Sequence, residues 1–565
     1  MKSVDKKLKF TSENLIFLPL GGSGEIGMNC NLYHFKDQWL IIDLGITFKD
    51  ERVQSAEIFM PNIDFLISIK KKIKAIILTH AHEDHIGAMP YLYKYLDDCP
   101  IYTTSFTASV LEKKFLSNNI HNKRINILKY DKIENIGEFN VEIVAMTHSI
   151  PEPNAIVIRT KKGNIFHTGD WKIDPRPLVG KPINEKKIKN ISGENIQVMV
   201  CDSTNVFEKK PSGSEHDVRN TLEKIFSKKK NGKIIITCFA SNIARLETIA
   251  QVAKDNDRSC VLLGRSLKRI YESALENDYL TKQKPFINEK DGKHISDENI
   301  VLICTGSQGE RRAALYKLIN GDNRNFNVNS DDLVIFSSRE IPGNEKQINI
   351  IKNSLRKINC TFIDDKFDLV HVSGHPSQEE LLKMYNWVKP DVLIPVHGEY
   401  QHLSKHFDFA KKSGIKKPIL TENGDCVLLD KDKNNQVVDK IFTSRNVLLG
   451  NRILPIEKKL FDNSRIINHE GEILIVLILD LDDKFVVRPT ISCLTIFDDN
   501  DTKELEKIKN FIESYVSEQL TSSLNDEIFK EHLVKKLRNY LKKEYGVKPI
   551  VDLKIIRLDK NDNKI

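Results

Sequence analysis

The residues best suited to chemistry form one hexapeptide, His80-Ala81-His82-Glu83-Asp84-His85. Three imidazoles and two carboxylates in six residues are costly to bury in an apolar core, whereas they are ligand types that zinc prefers. The chain has only 16 histidines in 565 residues. Three of them at this spacing arise by chance in roughly one such chain in a hundred. Because the hexapeptide directly follows an apolar run at residues 75–78, we expect a metal site at the end of a strand.

The elements that must hold this hexapeptide are short strands. From residue 14 to about residue 205, apolar runs of β type alternate with polar or glycine-rich loops. The runs lie at residues 15–20, 39–42, 75–78, 141–145, 164–166 and 197–200. Side chains at the ends of such strands are carried by a rigid sheet, which is a common way to build a functional site.

The pattern changes twice beyond residue 210. Over residues 211–352, strands such as 233–237 and 299–304 alternate with helical patterns such as 242–254, which is typical of an α/β unit. Strand character then returns at residues 361–363, 368–372, 391–396 and 418–420. The end of the chain predicts strands at 473–479 and 550–556 and helices at 503–520 and 527–542.

The hexapeptide matches the HxHxDH motif of the metallo-β-lactamase superfamily, and the chain resembles that superfamily at further positions. Asp43 follows the strand at 39–42, His148 follows the strand at 141–145, and Asp170 ends the stretch His167-Thr168-Gly169-Asp170. The resemblance implies two zinc ions per chain. It assigns His80, His82 and His148 to one ion, Asp84 and His85 to the other, and Asp170 to both. Asp43 would lie behind the ligands and orient them or their loops.

A two-zinc site of this kind implies hydrolysis. Two ions about 3.5–4 Å apart lower the pKa of a bridging water and clamp the attacking and leaving oxygens of a phosphodiester. The implied nucleophile is a metal-bridged hydroxide, so that no serine or cysteine nucleophile is needed. Since the superfamily includes lactamases, thioesterases and nucleases, the fold by itself does not name the substrate.

Three later motifs resemble motifs A, B and C of the β-CASP nucleases. They are Asp202 in Cys201-Asp202-Ser203-Thr204-Asn205, His375 in His371-Val372-Ser373-Gly374-His375, and His397 in Pro395-Val396-His397-Gly398-Glu399. The resemblance implies that His397 completes the ligands of the second zinc ion. It also implies that Asp84, Asp202 and His375 are catalytic, with His375 a candidate proton donor or charge stabiliser at the leaving oxygen. Ser373, Gly374 and His375 would hold the scissile phosphate.

Within the β-CASP nucleases, the chain is most similar to the bacterial ribonuclease J family. The similarity rests on Gly21 to Gly27, Phe239-Ala240-Ser241-Asn242, Thr305 to Glu310 and His371 to His375, and it extends over essentially the whole chain. It implies that Ser241, Asn242 and the Ser373 loop bind RNA phosphates, including a 5′-monophosphate. The implied activity is 5′-to-3′ exonuclease and endonuclease cleavage in RNA maturation and mRNA decay. The implied partners are RNA, a second or further copies as homodimer or homotetramer, and RNA-decay proteins.

The expected fold is therefore α/β, with five segments. A metallo-β-lactamase αββα sandwich spans residues 1–210 and 353–445, and it is interrupted by an inserted β-CASP α/β domain at residues 211–352. A linker at 446–472 leads to a small α+β C-terminal domain at 473–565. One departure from the family pattern is the pair Met28 and Cys30 in the glycine-rich loop, which affects local packing only.

Composition and charge agree with this assignment without proving it. The net charge of +8, from 86 basic and 78 acidic residues, favours a polyanionic partner only weakly. The longest apolar run, residues 473–479, is far shorter than the roughly 20 residues that span a bilayer, so no membrane association is expected. Nine isolated cysteines without a CxxC pair indicate reduced core thiols. We expect a cytoplasmic protein.

Several plainer interpretations compete with the functional ones. The sequence Gly22 to Gly27 also fits GxGxxG, but strands rather than a helix are predicted after it, which argues against a dinucleotide site. Glu83 is expected to be solvated or hydrogen-bonded, and His167 and His371 to be structural. A zinc hydrolase of a small ester or thioester is the alternative function, although it would not need the residues inserted between Asp202 and His375. A catalytically inactive RNA-binding scaffold disagrees with the complete ligand set.

Overall fold

The structure is a computed structural model that describes residues 8–48, 53, 56–121, 123–341, 343–430, 434–498, 500–519 and 525–558. The chain divides into two compact units. Unit 1 consists of Met1–Thr47 and Ile58–Asn446, and unit 2 consists of Phe48–Glu57 and Val447–Ile565.

Up to residue 202 short strands predominate, as the sequence predicts. The strands are β1 (Ile16–Gly21), β2 (Ser23–Gly24), β3 (Cys30–Phe35), β4 (Gln38–Ile42), β5 (Ile58–Pro61), β6 (Ile73–Ile77), β7 (Ile101–Thr103), β8 (Ile125–Ile127), β9 (Ile133–Ile136), β10 (Phe139–Ala145), β11 (Asn154–Thr160), β12 (Gly163–His167) and β13 (Ile196–Asp202). The helices are α1 (Asp64–Ile69), α2 (Glu83–Ile86), α3 (Met89–Leu92), α4 (Ser105–Ser117) and α5 (Glu185–Ser192), with 3-10 helices at Lys70–Lys72 and Tyr93–Tyr95.

Helices and strands alternate in the next part of unit 1. The inserted part contains α6 (Glu215–Lys228), β14 (Ile234–Thr237), α7 (Ile243–Asp255), β15 (Ser259–Leu263), α8 (Arg265–Glu276), α9 (Glu289–Gly292), a 3-10 helix at Asp297–Asn299, β16 (Ile300–Cys304), α10 (Ala314–Ile319), β17 (Leu333–Phe336), α11 (Glu345–Lys357) and β18 (Thr361–Ile363). The returning part contains α12 (Gln378–Val388), β19 (Val392–Val396), β20 (Gly398–Glu399), α13 (Tyr400–Lys412), β21 (Lys417–Pro418), β22 (Asp425–Leu428) and β23 (Gln436–Lys440).

Two sheets form the sandwich of unit 1. The first has eight strands in the order β23-β22-β1-β3-β4-β6-β7-β8, and the second has seven in the order β21-β19-β13-β12-β11-β10-β9. Apolar side chains from both sheets, such as Phe17 and Leu40 from one and Val141 and Ile158 from the other, share one buried core. The opposite face of the second sheet is covered by α5, α12 and α13, and α4 contacts β8 of the first sheet. The αββα arrangement is thus confirmed.

The inserted part has its own parallel sheet, in the order β15-β16-β14-β17-β18, and its own apolar core. Its strands alternate with helices, as the α/β pattern predicts. The strand predicted at residues 368–372 is absent, and this prediction was wrong. The carbonyl oxygen of Val370 in this segment accepts hydrogen bonds from the side chains of Arg245 and Ser337 instead of a neighbouring strand.

Unit 2 contains β24 (Arg445–Leu449, which begins in unit 1), β25 (Arg452–Pro455), α14 (Lys459–Glu470), β26 (Glu472–Asp480), β27 (Phe485–Leu494), α15 (Thr502–Gln519), α16 (Asp526–Tyr545) and β28 (Ile550–Leu558). The segment predicted as a linker, residues 446–472, carries most of β24 together with β25 and α14. Strand β27 was not predicted, because Pro489 interrupts its apolar run. Proline is tolerated there since β27 is the edge strand of the sheet β27-β26-β28 and bulges beside this residue.

The helix α15 presents Ile508, Ile512 and Val516 to the core of unit 2, where they pack with α16 and with the inner face of β26. The apolar face of this helix is thus covered within its own unit. All nine cysteines are free thiols, and eight of them are buried. In the part of the chain that the structure describes, no helix combines the length and the apolar character needed to cross a bilayer.

Candidate metal centre

The predicted metal ligands come together at one end of the sandwich. Strand β6 of the first sheet leads into the hexapeptide, and β10 and β12 of the second sheet lead to His148 and Asp170. Strands β13 and β19 are parallel neighbours, so that Asp202 at the end of one lies beside the start of the His397 loop at the end of the other. Residues more than 300 positions apart in the sequence therefore meet at the same edge.

One group of ligand atoms surrounds a single point. The Nε2 atom of His80 lies 3.0 Å from Nδ1 of His82, which lies 3.1 Å from Nε2 of His148. Asp170 Oδ2 is 3.8 Å from His80 Nε2 and 3.7 Å from His148 Nε2. A tetrahedral zinc ion with bonds of about 2.0–2.1 Å sets its ligand atoms about 3.3 Å apart. The group therefore has the size and the atom types of a zinc site.

A second group shares one atom with the first. His85 Nε2 lies 3.2 Å from Asp170 Oδ2 and 3.6 Å from Asp84 Oδ2, and Asp84 Oδ2 lies 3.1 Å from His397 Nε2. Asp170 Oδ2 thus faces both groups, as a bridging ligand must. A third, overlapping group combines Asp170 and His397 with Asp202 and His375.

The protonation of these groups fits a cation site. Burial lowers the pKa of His80 and His148 and lowers that of His82 to about 4, so that these rings are neutral, as metal ligands must be. Burial opposes the charge on His85 and His397 too, but the neighbouring carboxylates, Asp170 foremost, raise the pKa of both rings. Protons on these rings offset part of the negative charge of the buried carboxylates, a role that a bound cation would take over.

Asp43 holds the second group from behind. Its Oδ2 lies 2.7 Å from His85 Nδ1, which leaves His85 Nε2 directed at the site. Its two oxygens also accept hydrogen bonds from the backbone N–H and the hydroxyl of Thr79, each at 2.8 Å. The same hydroxyl is 3.0 Å from His80 Nδ1. Thr79 therefore orients a ligand of each group, a role that sequence reasoning missed because threonine next to a motif has no signature of its own.

Glycines allow the loops to approach the ligands. A Cβ atom on Gly45 would lie 1.7 Å from the backbone oxygen of Asp84, so that only glycine fits there. In the glycine-rich loop, the Gly22 carbonyl accepts a hydrogen bond of 2.6 Å from the His397 N–H, and β2 pairs with β20. This loop supports a predicted ligand and does not open a helix, in agreement with the rejection of a dinucleotide site.

The structure also brings motifs A and B to the site. His375 Nδ1 lies 2.8 Å from Asp202 Oδ2. Although burial opposes protonation, Asp202 and Asp170 raise the pKa of His375, which favours a ring that carries a proton at neutral pH. The neighbouring Gly374 carbonyl lies 2.5 Å from His148 Nδ1 and fixes that ring so that Nε2 faces the first group.

The predicted phosphate residues lie in two loops that Arg245 connects. The guanidinium of Arg245 is fully buried and donates to the Val370 carbonyl, three residues before Ser373. The backbone N–H of Arg245 donates to the side-chain oxygen of Asn242, which therefore caps α7. Ser373 Oγ accepts a hydrogen bond from the His375 N–H. Ser241, beside Asn242, is half-buried.

Glu83, His167 and His371 lie outside the two ligand groups. Glu83 is exposed and pairs with Lys114, outside the ligand groups. His167 Nδ1 lies 2.9 Å from the Tyr33 hydroxyl and is structural. His371 differs from expectation, since its Nδ1 has no hydrogen-bond partner among the described residues.

Replacing Gly374 by alanine tests the packing at the first group. The added Cβ would lie 2.6 Å from Cε1 of His148, so this ligand must move. We expect the affinity for the metal at this group to fall about 10–100-fold, the range seen when an outer partner of a ligand is lost. Calorimetric titration of the metal-free protein with zinc measures this. Gly193→Ala, at a helix end with an ordinary φ of −59°, is the control. Unchanged binding by Gly374→Ala would contradict the assignment.

Three family models match successive parts of the chain. A beta-lactamase superfamily domain matches residues 39–212, the beta-CASP domain of ribonuclease J matches residues 231–355, and a Zn-dependent metallo-hydrolase RNA specificity domain matches residues 365–419. A solved structure, that of a protein of unknown function from Enterococcus faecalis V583, covers 74% of this chain and all of that chain. At 19% identity and a TM-score of 0.52, it shows similarity of fold alone.

Similar proteins cover nearly the whole chain. It is 37% identical to the ribonuclease J of Sinorhizobium meliloti over 97% of this chain and 98% of that protein. It is 30% identical to the ribonuclease J of Corynebacterium glutamicum, over 96% of this chain and 76% of that protein. It is 32% identical to the ribonuclease J of Thermus thermophilus, over 75% and 76% respectively. With this coverage and with the β-CASP domain inserted in a metallo-β-lactamase sandwich, the chain belongs to the ribonuclease J family.

Proposed function

We propose that the chain is a zinc-dependent ribonuclease that hydrolyses RNA phosphodiester bonds. The observation that carries the proposal is Asp170 Oδ2, which faces a ligand group on either side. The names of the relatives and of the three matching domains support an RNA substrate. Two zinc ions held by these groups would supply Lewis acidity for the activation of water and for the charge of the scissile phosphate.

The proposal gives each residue of the site a role. His80, His82 and His148 would bind one ion, Asp84, His85 and His397 the other, and Asp170 both. His375 donates a hydrogen bond from Nδ1 to Asp202, which orients the ring and favours its protonation, so that His375 would donate a proton or a hydrogen bond to the leaving oxygen. Asp43 orients the ring of His85 and would thereby help to position the second ion.

The proposed activity has two modes, endonuclease and 5′-to-3′ exonuclease, in RNA maturation and mRNA decay. The exonuclease mode needs a pocket for a 5′-monophosphate, which we assign to Ser241 and the Ser373–His375 loop. Asn242 would take part through its backbone, because its side chain caps α7. RNA-decay proteins are proposed partners, and the cytoplasm is the proposed place of action. The alternative substrate, a small ester or thioester, gives no reason for a five-stranded inserted domain beside the site.

The second group is tested by Asp84→Ala. The loss of one carboxylate from this group removes the second ion and, with it, several kcal/mol of stabilisation of the transition state. We expect the rate of RNA cleavage to fall about a thousandfold or more, while circular dichroism shows the fold largely intact. The native protein should contain close to two zinc ions per chain by atomic absorption. Glu83→Ala is the matched control, since this neighbouring carboxylate is exposed and pairs with Lys114. Full cleavage by Asp84→Ala would refute the mechanism.

The 5′ pocket is tested with two RNAs of the same sequence. An RNA with a 5′-monophosphate should be shortened stepwise at least tenfold faster than one with a 5′-triphosphate, because the additional charge and bulk do not fit a closed pocket. Ser241→Ala should remove this preference while internal cleavage persists. Ser354→Ala, on α11 and outside the proposed pocket, should keep it. Equal rates for both RNAs with native protein, with internal products only, would mean that the pocket is absent.

The assembly proposal, a homodimer or homotetramer, concerns unit 2. Residues 473–553 enclose a core of their own and contain none of the proposed site residues. Removal of residues 471–565 should leave two zinc ions bound, lower the number of chains per particle in light scattering, and weaken the cleavage of long RNA more than that of short RNA. A truncated chain that keeps the full-length stoichiometry at low micromolar concentration would show that the assembly does not depend on this part.

A further inference from the structure

The loop that leaves the end of β13 presents an aromatic side chain to solvent next to the metal centre. Asp202 ends β13, and Phe207 lies five residues further with half of its surface (50%) exposed. Its neighbour Val206 is fully buried. Half of the Phe207 side chain is therefore accessible to a ligand.

The backbone on both sides of Phe207 is fixed. The side-chain amide of Gln378 donates to the Val206 carbonyl at 2.8 Å, and the backbone N–H of Gln378 donates to the Glu208 carbonyl at 2.9 Å. Asn205 donates to the carbonyl of His375. Phe207 is therefore held in place by the start of α12 and by the motif B loop, and its exposure does not result from a loose loop. A rigid aromatic side chain loses little entropy when a ligand binds to it.

His402 connects Phe207 to the loop that carries His397. The two rings are 5.1 Å apart in an edge-to-face arrangement. His402 packs on the backbone of Gly398, directly after the ligand His397, since a Cβ on Gly398 would lie 2.7 Å from His402 Cβ. Burial lowers the pKa of His402, so the ring that supports Phe207 is uncharged at neutral pH.

Two cations follow Phe207 on the same loop. Lys209 and Lys210 are both exposed, and neither forms an ion pair with any residue that the structure describes. The acidic residue between them and Phe207, Glu208, is paired with Arg339. An exposed aromatic ring followed by free cations is the combination with which proteins bind single-stranded nucleic acids, the ring stacking on a base and the cations contacting phosphates.

We infer that Phe207 is a stacking platform for one base of a single-stranded RNA whose phosphate lies at the metal centre, and that Lys209 and Lys210 contact the adjoining backbone. The inference rests on the proposed ribonuclease function and extends it, because it specifies an unpaired nucleotide next to the scissile bond. The platform is independent of base identity, since every base offers a π face.

The experiment compares native protein with Phe207→Ala on a set of short RNAs, each with one abasic nucleotide at a successive position. Loss of one stacked base corresponds to about 5- to 150-fold in kcat/KM or in affinity. We expect Phe207→Ala to lose this factor on intact RNA and to equal native protein on the RNA that lacks the stacked base. Phe207→Tyr should stay within about twofold of native, because it retains the ring.

Two controls isolate the platform. Phe367→Ala removes a phenylalanine of the inserted part that is 68% exposed. It lies on a turn near Asp364, which pairs with Lys352. The variant should behave as native. Zinc content and circular dichroism of Phe207→Ala should be unchanged.

The double variant Lys209→Ala/Lys210→Ala tests the proposed phosphate contacts. It should reduce the slope of log affinity against log salt by about 1.4, at about 0.7 per phosphate contact on a single strand.

The outcomes separate this inference from the proposed function. If native protein fails to cleave any RNA, the proposed function is wrong, and RNA binding measured by fluorescence anisotropy still tests the platform. If Phe207→Ala equals native on intact RNA in both cleavage and binding, the platform is wrong. It is also wrong if no abasic position abolishes the difference between the two proteins, or if Phe367→Ala shows the same loss.

Discussion

The structure of unit 1 depends on the position of one buried carboxylate, that of Asp170. Its oxygens lie within 3.8 Å of nitrogen atoms of His80, His85, His148, His375 and His397, and only 2% of the residue is exposed. Such a concentration of polar groups away from water is unfavourable unless charge is balanced and each ring is correctly oriented. A pair of cations bridged by this carboxylate would satisfy both needs.

The surroundings of this carboxylate are built to hold the ligands before any substrate arrives. Asp43 and Thr79 determine which nitrogen of His85 and of His80 faces the site, and the Gly374 carbonyl does the same for His148. The Gly45 backbone lies against Asp84 so closely that no side chain fits. Because each ring is held by a partner at its far side, little reorganisation is needed when metal or phosphate binds.

The inserted part is joined to this centre through another buried charge. Arg245 forms a two-pronged ion pair with Glu215 and donates further hydrogen bonds to Ser337 and to the Val370 carbonyl. A fully buried guanidinium is tolerated only when its donors are paired, so the loss of any partner is expected to be strongly destabilising. These hydrogen bonds connect the Ser241 loop to the motif B loop, as the proposed phosphate pocket would require.

Residue types and spacing alone predicted a metal site at the hexapeptide, and the resemblance to the metallo-β-lactamase superfamily supplied the proposed ligand set. Most strands were predicted correctly, because a strand shows its period locally. Contacts between distant segments had to come from the tertiary structure. No local sequence pattern predicts these contacts. Examples are the hydrogen bond from Thr79 to Asp43, the bond from Arg245 to the Val370 carbonyl where a strand was predicted, and the bond from Gln378 beside Phe207. Each depends on how strands register and helices pack, and these are decided by the burial of the whole chain, not by any one segment.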